Sequence, residues 1–370
     1  MITQRTMKNE ILVTPAGAMA GSSIVMSTSA GAMAGSSLLA SSAGAMAGST
    51  ILADSSGVMA GSAVPRLEIK GDGKRELRIV TATVNDVCQL RCGHCYLGES
   101  ADRNFMDQAT QDVLASGGYN HLAIVGKEPF FNKEHVRKTS DLVRKLTESG
   151  ITTSVITNGM NLDLVPTEVL RSLAYLDVSV DAGNRESYQA LRPGGNWDKL
   201  LRNVTDAKNR AGIPINGLHT VQSGNINELG QMAAVSKQMP LDLLLFSPFT
   251  QTQRRGADYV TQPVDALRII EAANQSPEFR DNPKAFLYLG IYKLPEADKE
   301  TLRGYIAEKG VRAILINESP LNLGVMRVTH DGKIMTPDES LHTKLYASAS
   351  RRVQDKILSR EYQKLVGSVA

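Results

Sequence analysis

The sequence predicts an α/β protein: a partial, open (β/α)6 barrel, preceded by a Gly/Ala/Met/Ser repeat segment and followed by a C-terminal α/β extension. Three observations predict it. From residue 77 onward, short apolar runs bounded by turn residues alternate with amphipathic stretches, the pattern of a parallel sheet with right-handed crossovers. These units number about six, too few for a closed eight-stranded barrel. Before residue 70 the texture differs, because one motif occurs four times at spacings of 14, 13 and 13 residues. The expected divisions are 1–70 for the repeats, 71–250 for the barrel and 251–370 for the extension.

Gly17-Ala18-Met19-Ala20-Gly21-Ser22 recurs at 31–36, 44–49 and, with Val58 in place of the first Ala, at 57–62. An apolar pair follows each copy: Ile24-Val25, Leu38-Leu39, Ile51-Leu52 and Ala63-Val64. Three readings stand. A small β-solenoid would stack Met in one column and Ile/Leu in another. A flexible Gly/Ser/Ala linker is the plainer reading, although it has no use for regular apolar columns. The third is a tethered array of peptide substrate or its mimic. The stretch 70–74 reads as the junction to the barrel.

Strands are expected at 78–84, 121–125, 153–157, 176–180, 215–221 and 241–246. Amphipathic helices are expected between them at 108–115, 133–148, 164–173, 197–211 and 226–238. Beyond Pro248 the pattern gives helices at 264–273, 296–308 and 351–366, with short strands at 285–289, 313–316 and 325–329.

Composition excludes several classes. The 370 residues carry 41 Lys+Arg against 38 Asp+Glu, a net charge of +3, without the basic stripe of a nucleic-acid binder. No apolar run reaches the roughly 18 residues of a membrane span. The first eight residues are polar and lack a signal-peptide core, so a cytoplasmic location is expected.

The three cysteines, Cys88, Cys92 and Cys95, all lie within eight residues. An odd, clustered set is no disulfide framework. It is a ligand set for a soft metal or an iron–sulfur cluster. The loop Cys88-Gln89-Leu90-Arg91-Cys92-Gly93-His94-Cys95-Tyr96 follows the first expected strand, where a (β/α) barrel builds its site. Three thiolates can hold three irons of a [4Fe–4S] cube and leave the fourth open to a ligand. A structural zinc site with His94 as fourth ligand is the alternative.

This C-x3-C-x2-C loop resembles that of the radical S-adenosylmethionine superfamily, and the resemblance extends over about 77–250. It implies Cys88, Cys92 and Cys95 as ligands of one [4Fe–4S] cluster whose open iron is chelated by S-adenosylmethionine (SAM). Reductive cleavage of SAM then gives a 5′-deoxyadenosyl radical that abstracts hydrogen from substrate. Tyr96 is placed near the adenine. Gly126-Lys127-Glu128-Pro129 resembles the family's Gly-Gly-Glu-Pro segment, with Lys127 where the second Gly is usual. It implies that Gly126 and Glu128 receive the SAM amino group. Thr157-Asn158-Gly159 and Ser179-Val180-Asp181 resemble the family's Thr-Asn-Gly and Ser-x-Asp. Asn158, Ser179 and Asp181 are thereby candidates for ribose or carboxylate contacts, against turn chemistry for Asn158 and helix capping for Asp181. Arg192 is a candidate partner of the SAM carboxylate, against a surface ion pair. Thr220, Gln222 and Asn225 close the fifth strand and are expected to line the site.

The segment 327–338 resembles the strand–turn–strand of extensions found in peptide-modifying members, with Asp331-Gly332 as a hairpin turn. No cysteine follows Cys95, so a Cys-ligated auxiliary cluster is not expected, and the resemblance is to a peptide-maturase-like branch without those cysteines. His330 and His342 are read as ordinary surface or core residues. The leading expectation is a radical SAM enzyme modifying a ribosomally made peptide or protein, reduced by flavodoxin or ferredoxin. Two alternatives stand beside it: a radical enzyme acting on a small metabolite, and a repeat scaffold whose barrel has lost turnover.

Overall fold

The computed structural model describes residues 79–95, 104–116, 119, 121–248, 266–290, 296–316, 325–330 and 334–335, with short backbone strands between residues 10 and 69. Eight parallel strands follow one another in chain order across a single sheet. They are β1 (Ile79–Thr83), β2 (His121–Val125), β3 (Thr152–Thr157), β4 (Leu173–Ser179), β5 (Ile215–Val221), β6 (Leu243–Pro248), β7 (Ala285–Gly290) and β8 (Ala313–Ile316). The main crossover helices are α1 (Gln108–Ala115), α2 (Lys133–Glu148), α3 (Thr167–Ser172), α4 (Arg185–Leu191), α5 (Trp197–Ala211), α6 (Leu229–Ala234), α7 (Ala266–Gln275), α8 (Pro277–Asp281) and α9 (Glu296–Lys309). Beyond β1 the sheet adds β9 (Val325–Val328) in parallel and β10 (Ile334–Met335) antiparallel to β9. Beyond β8 it adds a strand at Arg66–Ile69, also parallel. Among the described residues the two edges do not pair with each other, so the barrel is open.

The expected open α/β barrel is therefore borne out, and the strands foreseen at 285–289 and 313–316 continue the same sheet. Besides the five-residue α8, which the pattern did not give, two helices were not legible. In α4 the single buried side chain is Tyr188, and one apolar anchor makes no period. The helix expected at 226–238 is broken into a 3-10 turn at Ile226–Glu228, the short α6, and a second 3-10 turn at Val235–Lys237. Its entry is fixed by Asn225, whose Oδ1 accepts from Gln222 N at 2.8 Å.

Strand alternation gives the sheet two unlike faces. On one, Val80, Leu122, Val155, Leu176, Leu244, Leu287 and Leu315 join the hydrophobic core. The register places Thr81, His121, Ser154, Asp177 and Asn216 on the other face. There His121 bonds Thr152 Oγ1 at 2.8 Å and Ser154 Oγ at 3.0 Å, and Asn216 Nδ2 donates to Asp177 Oδ1 at 2.9 Å. Helices start on side-chain caps: Asp107, Asn132, Asn184 and Asn196 each accept from a backbone N–H three residues on.

Apart from short strands such as Ile24–Ser27, parallel to Ile51–Asp54, the repeats lie outside the described residues. So do Tyr96, His342, the turn at 331–333 and the helix expected at 351–366. Among the described residues no helix is long and apolar enough to cross a membrane.

Candidate active site

Parallel strands deliver their C-terminal ends to one rim, and the loop after β1 lies across it. Asn85 opens that loop. It bridges to Phe105, and its Nδ2 donates to Glu128 O at 2.8 Å. Gly126 lies so close that a Cβ there would come within 3.0 Å of Asn85 Oδ1. Further along, Cys88 Sγ accepts from Leu90 N at 3.3 Å and faces Asn158 Nδ2 at 3.5 Å. Gln89 Nε2 donates to Asn158 Oδ1 at 3.3 Å. Cys95 N donates to Cys92 O at 3.2 Å, closing the turn through Gly93 and His94, and Arg91 N donates to Pro193 O at 3.0 Å. The loop is thus tied to the ends of β3 and α4.

Burial pushes the Cys88 thiol up to about 12, and the nearby Glu128 carboxylate adds to the rise. Burial also raises Cys92. Such thiols become thiolates when a cationic group takes them. Among the described residues no three His, Cys, Asp or Glu side chains converge as a metal ligand set. His94 turns its Nε2 to Asp181 Oδ2 at 3.0 Å. Three thiols on one loop fit a cube that keeps one iron free of protein thiolate. The buried and unpartnered Gln89 Oε1, His94 Nδ1 and Gln222 side-chain amide near the same rim fit a polar cofactor beside it.

Glu128 is wholly buried. Its Oε1 accepts from Phe130 N at 3.0 Å and Thr157 Oγ1 at 2.6 Å, and its Oε2 accepts from Asn158 N at 2.7 Å. Burial pushes its carboxyl up to about 7 against those three bonds. A carboxylate has about four acceptor sites, so one remains for the expected ammonium contact. Asn158 also makes the turn foreseen for it, accepting Met160 N at 3.0 Å on Oδ1. Gly159 follows at φ +79, with Leu200 Cδ1 2.5 Å from where a Cβ would sit.

Asp181, just past β4, is held at φ +57, a left-handed conformation costly for a side chain with a Cβ. Its surroundings hold it there. Oδ1 accepts Thr220 N at 2.6 Å, the carbonyl accepts Asn225 Nδ2 at 2.9 Å, and Oδ2 meets Arg192 Nε at 2.7 Å as well as a second Arg192 nitrogen. Burial opposes the Asp181 charge, but Arg192 and then His94 hold its carboxyl well below the usual range. Asp181 caps no helix, since α4 begins on Asn184. Arg192 is buried and paired with Asp181, not on the surface. Ser179 is half-buried at the end of β4. The structure therefore brings Cys88, Cys92, Cys95, Gly126, Glu128, Asn158, Asp181 and Arg192 to one rim. Asn85, Gln89 and the His94–Asp181 contact were missed. Polar residues flanking the first cysteine are a local signal for the first two, but nothing in the sequence marks the third.

Residues 83–233 match the family model described as the radical SAM superfamily. The chain is 29% identical over 288 residues to a GTP 3′,8-cyclase of Peptoclostridium acidaminophilum, covering 72% of this chain and 81% of that protein. It is 22% identical over 230 residues to a probable GTP 3′,8-cyclase of Methanocaldococcus jannaschii, covering 59% and 75%. In fold it is similar to Streptococcus suis SuiB, with a TM-score of 0.50 at 13% identity, over 78% of this chain and 67% of that one. The three-cysteine loop on the rim of an open parallel barrel falls inside the stretch, residues 83–233, that matches the radical SAM superfamily, whose members use a [4Fe–4S] cluster and SAM.

Proposed function

We propose that Cys88, Cys92 and Cys95 hold the cluster and that Gly126, Glu128, Asn158, Ser179, Asp181, Arg192 and Tyr96 surround SAM. The observation that carries this is the tie between the cysteine loop and the strand ends, through Cys88 Sγ to Asn158 Nδ2 and through Asn158 N to Glu128. When bound, the two cofactors together supply a 5′-deoxyadenosyl radical that takes hydrogen from a substrate. The chain's own residues prepare the site. Asn158 offers a donor to the Cys88 sulfur, which favours its thiolate form. Glu128 keeps one acceptor site for the SAM ammonium. Arg192 uses Nε and one terminal nitrogen on Asp181, leaving the other for the SAM carboxylate. Radical SAM enzymes need a reductant, and flavodoxin or ferredoxin is the proposed partner.

For the substrate we favour a small polar molecule, because the relatives that align over most of the chain are GTP 3′,8-cyclases. A ribosomally made peptide or protein is the second reading, resting on the maturase-like segments at 126–129, 157–159 and 327–338. Anaerobic reconstitution tests both levels. The protein should take up about four irons, as one cube requires, and the triple Cys→Ala variant none. 5′-Deoxyadenosine formation stimulated by GTP or a related nucleotide supports the first substrate reading, and stimulation by peptides alone supports the second. Stoichiometric zinc without sulfide overturns the assignment.

A further inference from the structure

The residues proposed for the cluster and SAM stand at the ends of β1 to β4 and on Arg192, which leaves the ends of β5 and β6. Two rows of side chains face the lumen there. Leu218, Leu245 and Phe286 are neighbours in register across β5, β6 and β7, and all three are buried. One step nearer the rim, Thr220 and Ser247 pair in register and are half-buried. These residues alternate along their strands with Val221, Leu244, Phe246 and Leu287, which belong to the hydrophobic core on the other face of the sheet. An apolar floor therefore lies beneath a rim of hydroxyls.

Gln222 follows Val221, the last residue of β5, so the same alternation turns it to the lumen above Thr220. Its backbone is fully held. Gln222 N donates to Asn225 Oδ1 at 2.8 Å, and its carbonyl accepts from Asn225 N at 3.1 Å and Ile226 N at 2.9 Å. Its side chain is 1% exposed, yet both Oε1 and Nε2 lack a hydrogen-bond partner. A buried primary amide with neither end paired is costly to hold, and the loop does not need it. The amide presents a carbonyl oxygen beside an N–H. Its complement is a ligand edge with an N–H beside a carbonyl oxygen or ring nitrogen, as on a nucleobase. None of the side chains on this wall is charged, so it offers no countercharge to a phosphate.

We propose that Gln222 is a substrate-recognition residue, whose side-chain amide pairs with the hydrogen-bonding edge of a nucleobase seated on Leu218, Leu245 and Phe286. This rests on the small-molecule reading above, with a nucleotide as the molecule, and names the part of it that this wall takes. Thr220 and Ser247 border the ring with hydroxyls that serve a donor or an acceptor. In the bound state both ends of the amide gain the partners they lack.

The test uses anaerobically reconstituted full-length protein with SAM and no reductant, titrated calorimetrically with GTP and with guanosine. Gln222→Leu keeps the bulk of the side chain and removes its hydrogen bonds. It should bind GTP and guanosine each roughly tenfold more weakly than wild type, with iron content and SAM affinity unchanged. Its urea midpoint should not fall, because the amide bonds nothing in the ligand-free protein. Wild-type nucleotide affinity in Gln222→Leu overturns this proposal alone. So does a loss of SAM affinity, which would seat the adenine of SAM on this wall, and so does a lowered midpoint, which would make the amide a structural group. A loss for GTP but not for guanosine would move the contact to the phosphates and overturn it as well. A wild-type chain that takes up iron and SAM but binds neither GTP nor guanosine overturns the nucleotide reading and this proposal with it.

Discussion

A carboxylate without exposed surface is held only by the donors around it, and Glu128 has three, from Phe130, Thr157 and Asn158. Its partners are spread over two strand ends, so its first effect is on folding. Glu128→Ala leaves buried donors unpaired at about 1–3 kcal/mol each. It should lower the urea midpoint clearly, whereas Asn158→Ala should change it less and iron retention more. Equal midpoints for Glu128→Ala and wild type would refute this. Burial also fixes how single residues respond to pH. Glu128 is raised from 4.5 to about 7, so the folded state holds its proton more tightly, and the stability tied to that proton is lost as pH rises from about 4.5 to 7. His121 and His219 are lowered by burial from 6.5 to about 4. The unfolded chain binds their protons first, so their effect is a loss of stability as pH falls from about 6.5 to 4. His219 stacks on Phe246 at 4.6 Å and bonds through neither nitrogen. His219→Phe should therefore keep the stack and remove up to about 3 kcal/mol of acid lability. Unfolding midpoints that fall as steeply toward pH 4 as in wild type would count against it.

Elements meet where side chains are small enough to let them. Gly183 follows β4 and lies on the backbone of α6, so that a Cβ would come within 2.4 Å of Gln231 C and 2.7 Å of Met232 N. Backbone cannot swing aside as a flexible side chain can. Gly183→Ala should cost about 1–3 kcal/mol and, by moving the turn that carries Asp181, speed cluster loss to a chelator. Wild-type stability in that variant would show that α6 yields. Elements with long unbroken patterns were legible: α2 and α5 fall on the expected residues because buried positions recur every three or four, as in Trp197, Leu200, Asn203, Val204 and Ala207. Strands β2 and β6 are nearly continuous apolar runs, as doubly covered parallel strands are. The break in α6 was not legible, because it depends on Asn225 reaching Asp181 O and Thr220 O. The site divides in the same way. The cysteines are read from local spacing. The His94–Asp181 and Glu128–Asn158 contacts join positions far apart in the chain, and no periodicity reports them.

At the scale of the whole molecule, the sheet decides which pieces of the chain can stand alone. A boundary near residue 250 falls between β6 and α7, inside a run of strands that continues through β7 and β8. β6 pairs with β7 at Leu244, Leu245 and Phe246, and Phe246 packs edge-on to Phe279 of α8 at 5.2 Å. Ending the chain after Pro248 would strip both contacts from β6 and leave a long apolar edge open to pairing with other chains. The N-terminal side is different. The strand Arg66–Ile69 pairs with β8, while the repeats precede it. Deleting residues 1–65 should leave the barrel folded, with its iron and its SAM cleavage intact. Ending the chain at 248 should give aggregated protein or one that unfolds without cooperativity, measured by sedimentation and by urea melts followed by circular dichroism. A monomeric, cooperatively folded 66–248 fragment that binds iron would show that six strands suffice. Loss of SAM cleavage on deleting 1–65, with iron retained, would show that the repeats complete the site.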